Sequence, residues 1–300
     1  MTKDLSIIIA SYNTASLTIS CLKNLYASFK KYPGISFEVI IVDNGSSDKT
    51  VAMIENFRKK NKNIIFVKNK KNLGYSKANN QGLKRASGEF VLFLNSDVLV
   101  KKGDWLQLLA ILRKNEKIAA LTPRINLKNG QIDLASHRGF PTLWRSFCYF
   151  SGLEKIFWSF PLLNRVFGGY HLAHLDFNKV HEVEAISGAF FLVKKHILDK
   201  LGGFDERFFM YGEDLDLCWR IKELNYKIIY YPHFLVIHLK YQSGLGKNDD
   251  KIRKRTKYYF YQAMKLFYQK HYQKRYPFFI NFLVNALLKY FLQSYEKNRN

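Results

Sequence analysis

Short apolar runs alternate with stretches of helical periodicity along the first hundred residues. LSIIIA (5–10), FEVIIVD (37–43), NIIFVKN (63–69) and EFVLFLN (89–95) are four such runs. Their unbroken Ile, Val, Leu and Phe content predicts strands covered on both faces. Between them the spacing predicts helices near 16–31, 48–60 and 75–86. Strand–helix repetition of this kind predicts an α/β fold, with a mostly parallel central sheet flanked by helices. In such sheets ligands gather at the carboxyl ends of the strands.

The rhythm breaks at 137–180, where aromatic and basic residues crowd together. AISGAFFLVKK (185–195) then predicts another strand. LGGFDERFFMYGED (201–214) predicts a Gly-rich turn opening a helix that runs to about residue 224. KIIYYP (227–232) and FLVIHL (234–239) read as two closing strands of a hairpin, and from about 250 the pattern is helical, aromatic and basic. In the last segment Asn281, Asn285, Lys289, Gln293 and Lys297 recur every fourth position, a polar stripe on an otherwise apolar helix. Such a helix either packs on the body of the protein with the stripe outward, or lies in the plane of a membrane.

Composition narrows the partners. A 47% hydrophobic content excludes a disordered chain. The net charge of +24 points to nucleic acid, an anionic membrane surface or phosphorylated substrates. Residues 245–300 carry 13 Lys and Arg against three acids. No nucleic-acid fold signature accompanies this charge, and a membrane surface accounts better for the long apolar face. Cys21, Cys148 and Cys218 are odd in number and widely spaced, which predicts a reducing compartment. MTKDLSIIIA enters the first strand almost at once, so no signal peptide is expected, and with no charge-free run of 18 apolar residues no transmembrane helix is expected either. The expected location is cytoplasmic, peripheral at the cytoplasmic face of a membrane.

The candidate chemistry lies at the strand ends. Ala10-Ser11-Tyr12-Asn13 closes the first strand and Asp43-Asn44-Gly45-Ser46-Ser47-Asp48 the second. The second stretch reads locally as a turn with Ser46 or Ser47 capping a helix, which leaves Asp43 facing the crevice unexplained. The third strand leads to NLGYSKANNQG (72–82), where Gly74 permits a tight turn and Asn72 and Asn79 offer amides to a base or ribose. Asn95-Ser96-Asp97 closes the fourth. Glu213-Asp214, with Asp216, opens a helix, where acids are favoured in any first turn.

ASYN, IIVDNGSSDKT, NLGYSKANNQG and FLNSDV, taken in order, resemble the nucleotide-binding half of glycosyltransferase family 2, which has the GT-A fold. SGAFFLVKK and GGFDERFFMYGEDLDLCWR resemble the acceptor side of its bacterial rhamnosyltransferase-like branch. The resemblance covers roughly 4–240. It implies a transferase domain at 1–240: a nucleotide-binding half (1–100), an aromatic insert (137–180) and an acceptor-side half (181–240). Residues 241–300 are then a basic helical extension.

By the same resemblance, Ala10 to Tyr12, Asp43, Asn72, Gly74 and Asn79 line the nucleotide, and Asn95, Ser96 and Asp97 meet the donor. Asp97, joined by His238, holds a divalent cation, Mg²⁺ or Mn²⁺, on the donor's two phosphates. Asp214 is the catalytic base of an inverting displacement, and Glu213 orients the acceptor or a neighbouring side chain. Asn95 replaces the first acid of the family's Asp-x-Asp, so metal binding depends on Asp97. The implied reaction moves a sugar, dTDP-rhamnose or a UDP-hexose being candidate donors, to a glycan or lipid-linked acceptor in surface-polysaccharide synthesis. Trp219-Arg220 reverses the Arg-Trp order of processive synthases, so addition of one or a few sugars is expected. The alternative, favoured by Asn95 alone, is a degenerate member that binds sugar nucleotide or an assembly partner without turnover.

Overall fold

The computed structural model describes residues 3–240 and 250–296. The four apolar runs form β1 (Lys3–Ser11), β2 (Phe37–Asp43), β3 (Ile64–Lys68) and β4 (Gly88–Leu94). They lie parallel in the order β3-β2-β1-β4, joined by α1 (Ala15–Phe29), α2 (Thr50–Lys60) and α3 (Tyr75–Leu83). Parallel pairing brings their carboxyl ends to one edge, which is why Ser11, Asp43 and Asn95 become neighbours. Side chains alternate between two apolar layers. Ile7, Ile9, Val39, Ile41 and Leu92 meet the layer containing α1, whereas Ile8, Ile40, Val42, Val91 and Phe93 meet the opposite one.

The second half extends the sheet in mixed orientation. β5 (Val98–Lys102), α4 (Trp105–Lys114) and β6 (Ile118–Leu127) follow β4. The aromatic stretch supplies three short helices, α5 (Leu143–Phe150), α6 (Leu153–Ile156) and α7 (Pro161–Phe167). After β7 (His181–Val183) and β8 (Phe190–Lys194) come α8 (Lys195–Leu201), α9 (Glu213–Glu223) and β9 (Lys227–His238). β8 runs antiparallel between β4 and β6, β6 is parallel to β9, and β5 and β7 are antiparallel to β9. The parallel pattern expected from the sequence thus holds through β4 and β6–β9, and antiparallel strands knit the two parts.

The two closing strands expected at 227–232 and 234–239 are one strand. Opposite β6 the register jumps from Tyr231↔Pro123 to Leu235↔Arg124, so three residues bulge out. Pro232 lacks the N–H a ladder needs, which mimics a strand end in the sequence.

α10 (Asp250–His271) and α11 (Phe278–Glu296) close the described chain. Ala263, Phe267, Tyr268 and Tyr272 join the apolar layer that α9 occupies. The polar stripe of α11 divides, with Asn281 and Asn285 half-buried and Lys289 and Gln293 exposed. Asn281 accepts from the Tyr268 hydroxyl at 2.7 Å and donates to the Gln273 and Tyr276 carbonyls, while Lys289 and Gln293 line a cleft against α10. Lys297 lies outside the described residues. No helix among the described residues is long and apolar enough to cross a membrane.

Candidate active site

The ends of β1 and β2 are tied by side chains. Asp43, 1% exposed, accepts from the Gly45 and Ser46 amides at 3.2 and 2.9 Å and from the Ser46 hydroxyl at 2.5 Å. The Ser11 hydroxyl donates to it at 3.5 Å. Ser46 therefore builds the loop, and the capping role expected of Ser46 or Ser47 is absent: at the start of α2 it is Asp48 that accepts from the Thr50 amide, at 2.9 Å. Ala10 is half-buried, Ser11 buried, and Tyr12 stands exposed at the mouth.

Asn44 shapes the following loop. Its amide donates to the Asn72 side chain and the Gly74 carbonyl, and its oxygen accepts from the Leu73 amide and Asn69. Gly74 has φ +89°, and a Cβ there would sit 2.5 Å from the Phe209 carbonyl, so only glycine fits this turn. Asn79 is buried and donates to the Tyr75 carbonyl, while Asn80 clamps Phe204 through both its amide groups. In the structure these asparagines hold the loop and the 204–212 segment together.

Asp97 lies just before β5, whose register sets Val98 opposite His238 at the end of β9. Asp97 Oδ1 is 3.3 Å from His238 Nε2. On its other side His238 Nδ1 meets Asp133 Oδ2 at 2.8 Å, and Lys240 Nζ donates to Asp133 Oδ1 at 2.9 Å. Burial alone would lower the His238 pKa, but the two carboxylates outweigh it and push the imidazole up to about 9. Burial likewise opposes the ionised Asp133, yet its bonds to His238 and Lys240 hold it well below the usual carboxylate range. Ser96 is buried, and its hydroxyl donates to Thr14 at 3.4 Å. Asn95 is half-buried, its amide N–H bonded to the Ala189 carbonyl and its side chain without a hydrogen-bond partner among the described residues. Among the described residues no three His, Cys, Asp or Glu side chains converge so as to hold a metal ion.

Ala189 leads to the second acidic group. Asp214 Oδ2 accepts from Arg138 Nη2 at 2.7 Å and from the Gly188 amide at 3.3 Å, and Oδ1 from the Leu215 amide at 2.7 Å. Arg138 is buried and also donates to the Ile186 carbonyl. Glu213 is buried with Oε2 lacking a hydrogen-bond partner among the described residues. Burial, then the neighbouring Asp214 charge, push its carboxyl up to about 8. Tyr75 donates to the Gly188 carbonyl at 2.9 Å, and Glu213, Asp214 and Asp97 all act on its phenol. Burial raises the Tyr75 phenol first, and the charges of both acidic groups add to it, so Tyr75 stands within electrostatic reach of each. Asp216 points elsewhere, to Arg220, Lys270 and His271 at 2.6–2.8 Å.

A family model, Glycosyl transferase family 2, matches residues 6–201. The chain belongs to this family. A second model, Glycosyl transferase family group 2, matches 134–295. A poly-beta-1,6-N-acetyl-D-glucosamine synthase of Staphylococcus epidermidis is 28% identical over 231 residues, 77% of this chain and 48% of that protein. The chain thus spans about half the length of that relative. Among solved structures, TarS of S. aureus superposes with TM-score 0.54 at 20% identity, covering 88% of this chain and 64% of that one. The Pyrobaculum calidifontis mannosyltransferase PcManGT, in complex with GDP-Man and Mn²⁺, superposes with TM-score 0.56 at 18% identity, covering 99% and 74%. The fold is the GT-A glycosyltransferase fold.

Two residues of the site carry no signal in the sequence. Asp133 sits in a turn 105 residues before His238, and Arg138 lies 76 residues before Asp214. Only long-range register makes them partners.

Proposed function

We propose that this chain is an inverting, divalent-metal-dependent glycosyltransferase acting from a nucleoside-diphosphate sugar on a glycan or lipid-linked acceptor in surface-polysaccharide synthesis. The observation that carries the reading is the meeting of Asp97 and His238 at the strand ends, with Glu213 and Asp214 acting on the same Tyr75 phenol as Asp97.

Asp97 and His238 suit a metal site. An imidazole whose far nitrogen is pinned by a carboxylate, as Asp133 pins His238, is oriented to ligate with the other once the ion takes the place of the Nε2 proton shared with Asp97. One carboxylate and one imidazole leave room for phosphate oxygens, and this donor set suits Mg²⁺ or Mn²⁺. Asp97 and His238 would hold the ion, which supplies charge stabilisation for the departing diphosphate. Mn²⁺ in PcManGT supports the choice of a divalent cation. Ser11, Tyr12 and the loop on Asp43 and Asn72 border the nucleotide, and Asn95 and Ser96 border the donor beside Asp97.

In the reaction an acceptor hydroxyl oxygen bonds to the anomeric carbon as the carbon–phosphate-oxygen bond breaks on the opposite face. Asp214 takes the hydroxyl proton, and its 2.7 Å bond to Arg138 fixes the position of the carboxylate. Glu213, protonated at neutral pH, donates a hydrogen bond that orients the acceptor. UDP-GlcNAc, bound by TarS, is the first donor to try, with other UDP-hexoses and dTDP-rhamnose after it. Residues 1–240 form the transferase domain and 241–300 an extension. Peripheral attachment to the cytoplasmic face of a membrane belongs to this reading, because α11 turns Phe278, Phe282, Leu283 and Leu287 outward.

Asp214→Asn is expected to lower transfer by roughly 10²–10⁴-fold, with donor binding by calorimetry retained. Near-normal turnover in that variant would overturn the assignment of the base.

A further inference from the structure

The segment carrying α5, α6 and α7 is built inside out. Its exposed side chains include Trp144, Phe147, Phe150, Ile156 and Phe160, and Leu162 is 81% exposed. Two of its polar side chains, Glu154 and Asn164, are hidden. Glu154, 4% exposed, accepts from the His171 amide and meets His171 Nδ1 at 3.0 Å. Asn164 is 0% exposed, and neither atom of its amide has a hydrogen-bond partner among the described residues. An aqueous surface would favour the opposite arrangement, and contiguous exposed apolar area on this scale marks an interaction site.

Charge selects the partner. The exposed charged side chains between 143 and 167 are Lys155 and Arg165, both cations, and the single acid of that stretch is the buried Glu154. The Trp144 indole N–H donates to the Val166 carbonyl at 2.9 Å, so the ring can enter hydrocarbon without leaving a donor unpaired. Apolar rings flanked by cations alone complement an anionic lipid surface.

Position agrees with this. The root of the segment and the α10–α11 junction meet at Trp219. Phe140 lies 4.7 Å and Tyr272 5.2 Å from its ring, and the Arg275 guanidinium stands 4.7 Å over it. The segment and the apolar face of α11 therefore spring from one place on the molecule.

We propose that the α5–α7 segment is a lipid-docking element, lying on an anionic bilayer with its aromatic and aliphatic side chains in the acyl boundary. The inference rests on the membrane reading given for α11 but is carried by different residues. Tryptophan separates the two. Trp105 and Trp219 are buried, Trp144 and Trp158 are exposed in this segment, and α11 has none.

The test uses the full chain with vesicles of phosphatidylglycerol and phosphatidylcholine carrying brominated acyl chains, scoring co-sedimentation and tryptophan emission together. Binding with a roughly twofold loss of emission is expected, and the pair Phe147→Ser with Leu162→Ser should weaken sedimentation by roughly tenfold at unchanged circular dichroism. Sedimentation without quenching overturns this inference and leaves α11 as the attachment. No binding to any vesicle overturns both. A lipid-free dimer that the serine pair dissociates also overturns it, by assigning the face to a second copy.

Discussion

Glu213 and Asp214 adjoin in sequence, yet their surroundings divide their roles. Arg138 and two backbone amides surround the Asp214 carboxylate, whereas Glu213 has burial and a like charge beside it and is pushed up to about 8. An acid raised from 4.5 contributes stability that is fully present below 4.5 and lost as pH rises through about 8. Glu213→Gln cannot ionise, so its melting temperature should fall less than that of the wild type between pH 5 and pH 9. Parallel pH curves for the two proteins would remove the raised carboxyl from the account. The acids themselves were legible in the sequence, Asp97 as a charge closing a buried strand and Glu213 and Asp214 as acids opening a helix, although a helix first turn favours acids in any case. Their partners were not, since nothing local marks Arg138 or Asp133.

Helices and strands were legible wherever periodicity was strong, and less so where one residue interrupts it. Pro232 divides β9 in the sequence but only bulges it in the fold. The stripe of α11 was visible as a pattern, but its direction required the Tyr268–Asn281 bond and the cleft on α10. Asp216, the third acid of α9, belongs to this scale. Burial opposes its charge, but His271, Arg220 and Lys270 outweigh burial and hold its pKa below 3.8. It thereby fastens α10 to the helix that carries Asp214. Asp216→Ala should destabilise the chain by about 3–5 kcal/mol, because Arg220, Lys270 and His271 lose a buried partner. Equilibrium urea unfolding measures this, and a change within about 0.5 kcal/mol would place the α9–α10 attachment elsewhere. Because the Asp216 pKa is depressed, its stabilisation is present above 3.8 and lost as pH falls through the folded-state value.

Across the whole molecule, the parallel half of the sheet follows from strand–helix repetition, while the antiparallel insertion of β8 between β4 and β6 has no counterpart in local pattern. That insertion matters, because it brings the Gly188–Ala189 turn to Asn95 on one side and Asp214 on the other. The antiparallel pairing of β5 with β9 then delivers His238 to Asp97. Asn95 stands beside this pair without carrying it, so Asn95→Asp should keep or raise metal-dependent turnover, and loss of activity in that variant would show that the amide is required. The most direct test of the account is release of nucleoside diphosphate from a panel of nucleotide sugars, with Mn²⁺ and with chelator, by wild type and by Asp97→Ala. The account predicts release from at least one donor that needs the metal and falls by roughly a hundredfold in Asp97→Ala. Release unaffected by the chelator and by the loss of Asp97 would contradict it.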